Sequence, residues 1–433
     1  MLKKRSNSIF SFIIALLLVN VALFSNINNV AAAESIKKHA PDTEELITIV
    51  EHNADIKRML IQSIEQAKQI NPDRETNPVQ SLEEYYDFID WSTTAMPFNI
   101  LPSAKHYPKL YESIDQSLDY FYFLIDQPLD KLKGKGYYYN SFQYVEPFRS
   151  WMINFTKHWG EYLSTKGSWN EELYKKSCAD ERFGMNNGWY ESPKKWSTFN
   201  EFFARYLNSP AVRPIAETTN EAVVVSPADS VPQGVWEIDK NSRIGQQKGV
   251  QLKSANFNSV IDILGRDSVY ASKFANGLLT HTFLDVNDYH RYHFPVSGTI
   301  KEVRTILSDD AVGGITFWNE KLHKYVLEAK NPAWQSIETR SCVIIDTDKY
   351  GLVAVLPIGM SQISSVNFEE SVKVGAKVKK GDPLGYFLFG GSDIVMIFQP
   401  QAGFELTAPV LDDNSYKHIY MGEAYGIMHG AKQ

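Results

Sequence analysis

The chain has 433 residues, 43% of them hydrophobic, and carries 44 Lys/Arg against 51 Asp/Glu for a net charge of −7. That length calls for one large or two ordinary domains with ample core material, and the acidic balance argues against nucleic acid as a partner, since phosphate would be repelled. Cys178 and Cys342 are the only cysteines, which excludes a disulfide framework and any multi-cysteine metal site.

Lys3, Lys4 and Arg5 precede an apolar run over 9–24 and a polar stretch ending in Ala31, Ala32 and Ala33, the three-part pattern of a secretory signal peptide. The run is shorter than the roughly 20 residues a membrane-spanning helix needs, so the expectation is cleavage after Ala33 and an exported protein. Removal of 1–33 takes three basic residues and no acidic one, which moves the charge from −7 to about −10. Docking to anionic lipid would then need a local patch. Export would permit Cys178 and Cys342 to pair, with two buried thiols as the alternative.

From about 41 to 165 apolar residues recur at helical spacing, as in Ile56, Leu60, Ile64 and Ala67, and again in Ile114, Leu118, Phe121 and Ile125. The aromatic residues of this half, among them Tyr137, Tyr138, Tyr139, Trp151, Phe155 and Trp159, read as core at such spacing. Residues 166–200, rich in Gly, Ser, Asn and Trp, read as a connection. From about 221 the pattern changes to short β-branched runs at 223–225, 260–263, 342–345, 352–356 and 394–398, which predict strands. Gly375, Gly381 and Gly385 punctuate 372–386 as tight turns. The expected class is α+β: a mainly helical N-terminal domain with its linker over 34–198, then a mainly antiparallel β domain over 199–433.

Three places in the β half concentrate reactive side chains. Ser226-Pro227-Ala228-Asp229-Ser230 sets an acid in a turn, which alone is ordinary turn chemistry. In Asp288-Tyr289-His290-Arg291-Tyr292-His293 two histidines stand three apart; with His281, Asp285 and Asp288 they could edge a metal site, but acid/base work near neutral pH is the sharper reading. Phe389-Gly390-Gly391-Ser392-Asp393-Ile394 places a serine after glycines at the entry to an apolar strand. Asp, His and Ser together raise a serine-hydrolase reading, yet Ile394 breaks the G-x-S-x-G elbow.

In order and spacing these segments resemble the phosphatidylserine decarboxylase family over about 199–400. The likeness is carried by Phe199-Asn200-Glu201-Phe202-Phe203-Ala204-Arg205 with Arg213-Pro214, Ser226-Pro227-Ala228-Asp229, Phe274-Ala275-Asn276-Gly277, the two-histidine segment, and Lys380-Gly381-Asp382-Pro383-Leu384-Gly385-Tyr386-Phe387 before the serine motif. The resemblance implies a proenzyme that cleaves itself between Gly391 and Ser392 and turns Ser392 into a covalent pyruvoyl group, with no added cofactor or metal. It implies that Asp229 orients His293, that His293 activates Ser392, and that His290 reprotonates the carbanion left by departing CO₂. Three departures stand out: Asp393 where a small hydroxyl residue commonly follows the serine, Ser230 in place of a glycine, and Glu338-Thr339-Arg340 in place of Asn-Glu-Arg.

Phosphatidylserine is the substrate the family implies; peripheral membrane contact would be compatible with it but is not legible in the sequence. A free aromatic amino acid such as tryptophan is the alternative, because the long helical half resembles the extra domain of the family's soluble branch. An exported binding module that never processes is a further alternative, which Asp393 keeps open. Oligomeric state is not legible.

Overall fold

A computed structural model describes residues 38–95, 116–245, 249–253, 255–307, 314–328, 331, 333–360, 365–388 and 391–431. The leader at 1–33 lies outside the described residues, as do Phe389 and Gly390 of the serine motif. The chain divides into Met1–Ala40 and Pro41–Gln433, and every element described belongs to the second.

The helical periodicity of the first half is realised in α1 (Pro41–His52), α2 (Ala54–Ile70), α3 (Leu82–Ser92), α4 (Gln116–Ile125) and α5 (Phe148–Tyr162). Ile56, Leu60, Ile64 and Ala67 form the buried stripe of α2, whose first turn is capped by the Asn53 side chain accepting from the Asp55 and Ile56 amides. On α4 Phe121 and Ile125 are buried, whereas Ile114 lies outside the described residues. Trp151, Phe155 and Phe121 stack in succession at 5.4 and 5.6 Å between ring centroids, so these three are core, whereas Tyr139, expected there too, is exposed and Tyr137 and Tyr138 are only partly buried. The connecting stretch carries α6 (Glu171–Ala179) and single 3₁₀ turns.

Seven strands of the second half make one antiparallel sheet: β1 (Val231–Glu237), β2 (Leu278–Leu284), β3 (Gly298–Ile306), β4 (Thr339–Asp346), β5 (Leu352–Met360), β6 (Lys377–Val378) and β7 (Gly391–Phe398). Their spatial order is β6-β3-β4-β5-β7-β2-β1. At the edges stand a two-residue strand with a lysine and a strand whose Pro232 opens a bulge, both features that blunt pairing with another chain. The α+β class is therefore as expected.

One predicted strand is wrong. Val260–Leu264 is a short helix, α8, because Ser259 and Asp262 begin it: the Asp262 carboxylate accepts from the Ser259 amide at 3.0 Å and its hydroxyl at 2.7 Å. A four-residue apolar run has no periodicity of its own, and the polar residues around it decide. Cys342 is buried in β4, where burial pushes its thiol up to about 12, and both cysteines are free.

Strand alternation divides the molecule. Val395 and Ile397 of β7 join Leu279 and the residues of α2 to α5 in one core, while Ile394, Met396 and Phe398 face a second core with Phe199, Phe202 and Phe203. Ser392 therefore points into the second core and its neighbour Asp393 into the first.

Candidate active site

Ser392 is wholly buried near the start of β7, in register with Leu284 on β2 and Gly359 on β5. His290 arrives from the turn after β2, which is closed by the Asp288 amide donating to the Asp285 carbonyl at 2.9 Å and by the Asp288 carboxylate accepting from the Asp285 amide at 2.8 Å. Burial pushes the Asp288 carboxyl up to about 6, opposed by His418, whose Nε2 lies 2.8 Å away. The turn is tied to α7 (Phe199–Phe203) by buried Arg205, which donates to the carbonyls of Asn287 at 3.0 Å and Asp288 at 2.9 Å. Thr198 and Glu201 close a capping box on α7.

The result places His290 Nδ1 3.2 Å from Ser392 Oγ and His290 Nε2 3.0 Å from the Asp285 carbonyl. A carbonyl only accepts, so Nε2 carries the proton and Nδ1 is left as a base for the serine hydroxyl. Phe203 stacks on the imidazole at 3.8 Å. Burial, with the Arg205 charge added, pushes His290 down to about 3, so the ring is neutral across the physiological range.

His293 is placed differently from the arrangement the resemblance implies. Its Nδ1 donates to the Gly381 carbonyl at 2.8 Å and its Nε2 lies 3.3 Å from the Tyr289 hydroxyl; burial pushes it down to about 4. Gly381 adopts φ +87°, and a Cβ there would meet Ile215 at 2.5 Å, so this acceptor position requires glycine. Asp229 does not reach His293. Its carboxylate is clamped by Arg213, with Nη2 at 2.6 Å and Nε at 2.9 Å, and accepts from the Met421 amide at 2.8 Å. Among the described residues the side chains thus form a His290–Ser392 pair and not an Asp229–His293–Ser392 relay. The cause is Arg213, a stronger partner for a buried carboxylate than a neutral imidazole. Arg213 and Arg205 lay within quoted motifs, but nothing in their spacing announced these partners.

The departures are accommodated. Ser230 is buried with a backbone outside the left-handed region, and its hydroxyl donates to the Ala228 carbonyl and accepts from Thr282 at 2.6 Å. Arg340 donates to the carbonyls of Asp262, Ile263 and Glu338, anchoring α8 to β4. Asp393 turns away from Ser392 and meets His281 and Gln335 behind the sheet.

Residues 199–427 match the family model described as phosphatidylserine decarboxylase. The chain belongs to the phosphatidylserine decarboxylase family. It is thus a carboxy-lyase. Among its relatives is the phosphatidylserine decarboxylase proenzyme of Fusobacterium nucleatum subsp. nucleatum, 28% identical over 311 residues that cover 69% of this chain and 93% of the relative. Decarboxylase iboD of Amanita muscaria is 29% identical over 311 residues, covering 66% of this chain and 85% of that protein. Phosphatidylserine decarboxylase proenzyme 2 of Oryza sativa subsp. japonica is 32% identical over 222 residues, 51% of this chain and 32% of that protein. The first two matches cover more of the decarboxylase than 199–433 contains, so their likeness reaches into the helical half.

Proposed function

We propose that this decarboxylase is an exported, self-processing proenzyme that cleaves between Gly391 and Ser392, converts Ser392 into a pyruvoyl group and decarboxylates phosphatidylserine to phosphatidylethanolamine. The observation that carries the reading is the buried serine hydroxyl 3.2 Å from a neutral imidazole nitrogen, immediately after a glycine carbonyl. A serine with a base at its oxygen and a glycine before it fits the precursor of such a group.

His290 Nδ1 takes the Ser392 hydroxyl proton as Oγ bonds to the Gly391 carbonyl carbon; the C–N bond breaks, its nitrogen is protonated, and an ester joins the two residues. Removal of the Cα proton of residue 392 expels the Gly391 carboxylate, and water then replaces the nitrogen of the resulting dehydroalanine, releasing ammonia. The group so made supplies the carbonyl that condenses with a substrate amine and accepts the electrons left by CO₂. His290 afterwards remains beside residue 392 to move a proton at the substrate carbon. The Asp229–Arg213 pair and the His293–Tyr289 contact act as positioning groups.

The helical half supports the lipid reading. It resembles the extra domain of a free-amino-acid branch, but the Fusobacterium relative, named for phosphatidylserine, extends into the same half. A free aromatic amino acid is the second reading, since decarboxylase iboD, whose name specifies no lipid, is as similar to this chain as the lipid-named relative. Intact mass of the purified protein tests processing: two fragments meeting between 391 and 392, the second lacking an amino terminus, are expected, and one intact chain would leave only a binding module. A first fragment beginning after Ala33 would support export. Carbon dioxide release from phosphatidylserine micelles and from tryptophan, run in parallel, separates the substrates.

A further inference from the structure

The tautomer of His290 depends on the Asp285 carbonyl, and the place of that carbonyl depends on Asp288. Asp288 Oδ2 accepts from the Asp285 amide at 2.8 Å, and the Asp288 amide donates to the Asp285 carbonyl at 2.9 Å. Its other carboxylate oxygen, Oδ1, meets His418 Nε2 at 2.8 Å. Asp288 is buried, and among the described residues His418 is the one basic side chain bonded to its carboxylate. A buried carboxylate needs both a donor for each oxygen and a counter-charge, and His418 supplies one donor and the charge. Burial opposes it, but the Asp288 bond and the charges of Asp288, Asp229 and Asp285 raise His418 above its ordinary value. The segment that carries His418 is itself fixed to the site. Ile419 and Ser230 exchange both backbone bonds at 2.9 Å, the Tyr420 ring lies 4.5 Å from the Arg213 guanidinium, and the Met421 amide donates to Asp229.

We propose that His418 is a positioning residue that holds His290 against residue 392 through Asp288 and the Asp285 carbonyl, in the proenzyme and again after cleavage. This rests on the reading of His290 as the group that moves protons at residue 392. The route is an unbroken line of bonds: His418 Nε2 to Asp288 Oδ1, Asp288 Oδ2 to the Asp285 amide, the Asp285 carbonyl to His290 Nε2, and His290 Nδ1 to Ser392 Oγ. Without its donor from His418 the buried carboxyl must take up a proton or turn toward water, and its grip on the Asp285 amide loosens. Arg205 holds the same turn from the other side, but Arg205, Asp288 and His290 all precede the 391–392 bond. His418 follows it. Once the chain is cut, the ladder of β7 keeps residue 392 in the sheet, and His418 registers the turn of His290 to the fragment that carries residue 392.

The test follows cleavage of the full-length chain by gel and intact mass, and carbon dioxide release by the processed enzyme from whichever of phosphatidylserine micelles or tryptophan the wild type turns over. His418→Leu removes the donor and should slow cleavage and lower kcat by about 10- to 10²-fold with KM unchanged, the scale of a small misplacement of a catalytic group. His418→Gln, whose amide can donate to Asp288, should recover most of both rates. His418→Asn, a donor too short for Asp288, should behave as His418→Leu does and gives the same comparison if the leucine chain unfolds. On a His290→Ala background His418→Leu should cause no further slowing, because it acts through that ring. His429→Leu, which breaks an exposed pair with Glu405 on the same fragment, should leave both rates as they are. Wild-type rates in His418→Leu and His418→Asn, equal losses in those and His418→Gln, or full further slowing on the His290→Ala background would overturn the positioning role and leave His290 in place. A His290→Ala chain that cleaves and turns over as the wild type does would overturn the reading of His290, and the role of His418 with it.

Discussion

Both faces of β7 carry a buried histidine whose Nδ1 meets a side chain of that strand, and the two differ in what holds the other nitrogen. On one face His290 Nε2 is committed to the Asp285 carbonyl, which makes Nδ1 the base at Ser392. On the other, His281 Nδ1 is committed to Asp393 and Nε2 has no hydrogen-bond partner among the described residues. The residue type is the same, and the atom available for chemistry is opposite. What assigns a histidine its role in this fold is the partner of its second nitrogen, set by a carbonyl in one core and a carboxylate in the other.

The largest expected effect breaks the Ser392 face. His290→Ala removes the only imidazole bonded to Ser392 Oγ among the described residues, and processing measured by gel and intact mass should slow by about 10²- to 10⁴-fold. His293→Ala should slow it less. The reverse order would restore the Asp229–His293 relay that the resemblance implies.

Next comes Asp229→Asn, which leaves the buried Arg213 guanidinium without its counter-charge. Breaking such a pair costs about 3–5 kcal/mol, to be read in urea unfolding of the full chain. Lost processing at unchanged stability would instead make Asp229 part of the chemistry.

These tests fall where the sequence was least informative. Helical spacing such as Ile56–Leu60–Ile64 and the β-branched runs at 342–345 and 394–398 specified their elements, because each buries a face through its own period. Ser392 and His290 were legible as candidates from residue type and motif order. Their pairing was not, since it depends on Arg213 claiming Asp229 from sixteen residues away and on a turn held by Asp288. His281 read only as a possible edge of a metal site beside Asp285 and Asp288, and no strand was expected around it. That it meets Asp393 follows from β2 and β7 being neighbours in register, which pairwise spacing cannot reveal.

A pH series sharpens the contrast further. With His290 pushed down to about 3, the base stays unprotonated on acidification, so the processing rate should hold from pH 8 to about 5. A histidine at its ordinary value would lose about 30-fold at pH 5. Asp126, in the helical core, provides an opposite signature in stability. Burial outweighs its bonds from Thr316, Ser141 and Gln143 and raises it from 3.8 to about 8. The folded state then keeps a proton that the unfolded chain releases, so Asp126 costs stability progressively as pH rises from about 4 through 8. Urea unfolding should show that slope, and Asp126→Asn should flatten it.

The smallest effect compares the two five-residue helices that back the two faces. Thr198 Oγ1 accepts from the Glu201 amide at 3.2 Å to start α7, and α7 carries the Phe203 ring that stacks on His290. Ser259 Oγ donates to Asp262 at 2.7 Å to start α8, whose carbonyls hold Arg340 on the other side. Thr198→Ala and Ser259→Ala should each cost about 1 kcal/mol in urea unfolding. Their effects on processing should part. Loosening α7 releases both the ring behind His290 and the Arg205 tether of its turn, so Thr198→Ala should slow cleavage several-fold in proportion to the misplacement of Nδ1. Ser259→Ala disturbs no group bonded to Ser392 and should leave the cleavage rate unchanged. Equal slowing in both variants would mean that processing follows overall stability, and the division of labour between the two faces would not hold.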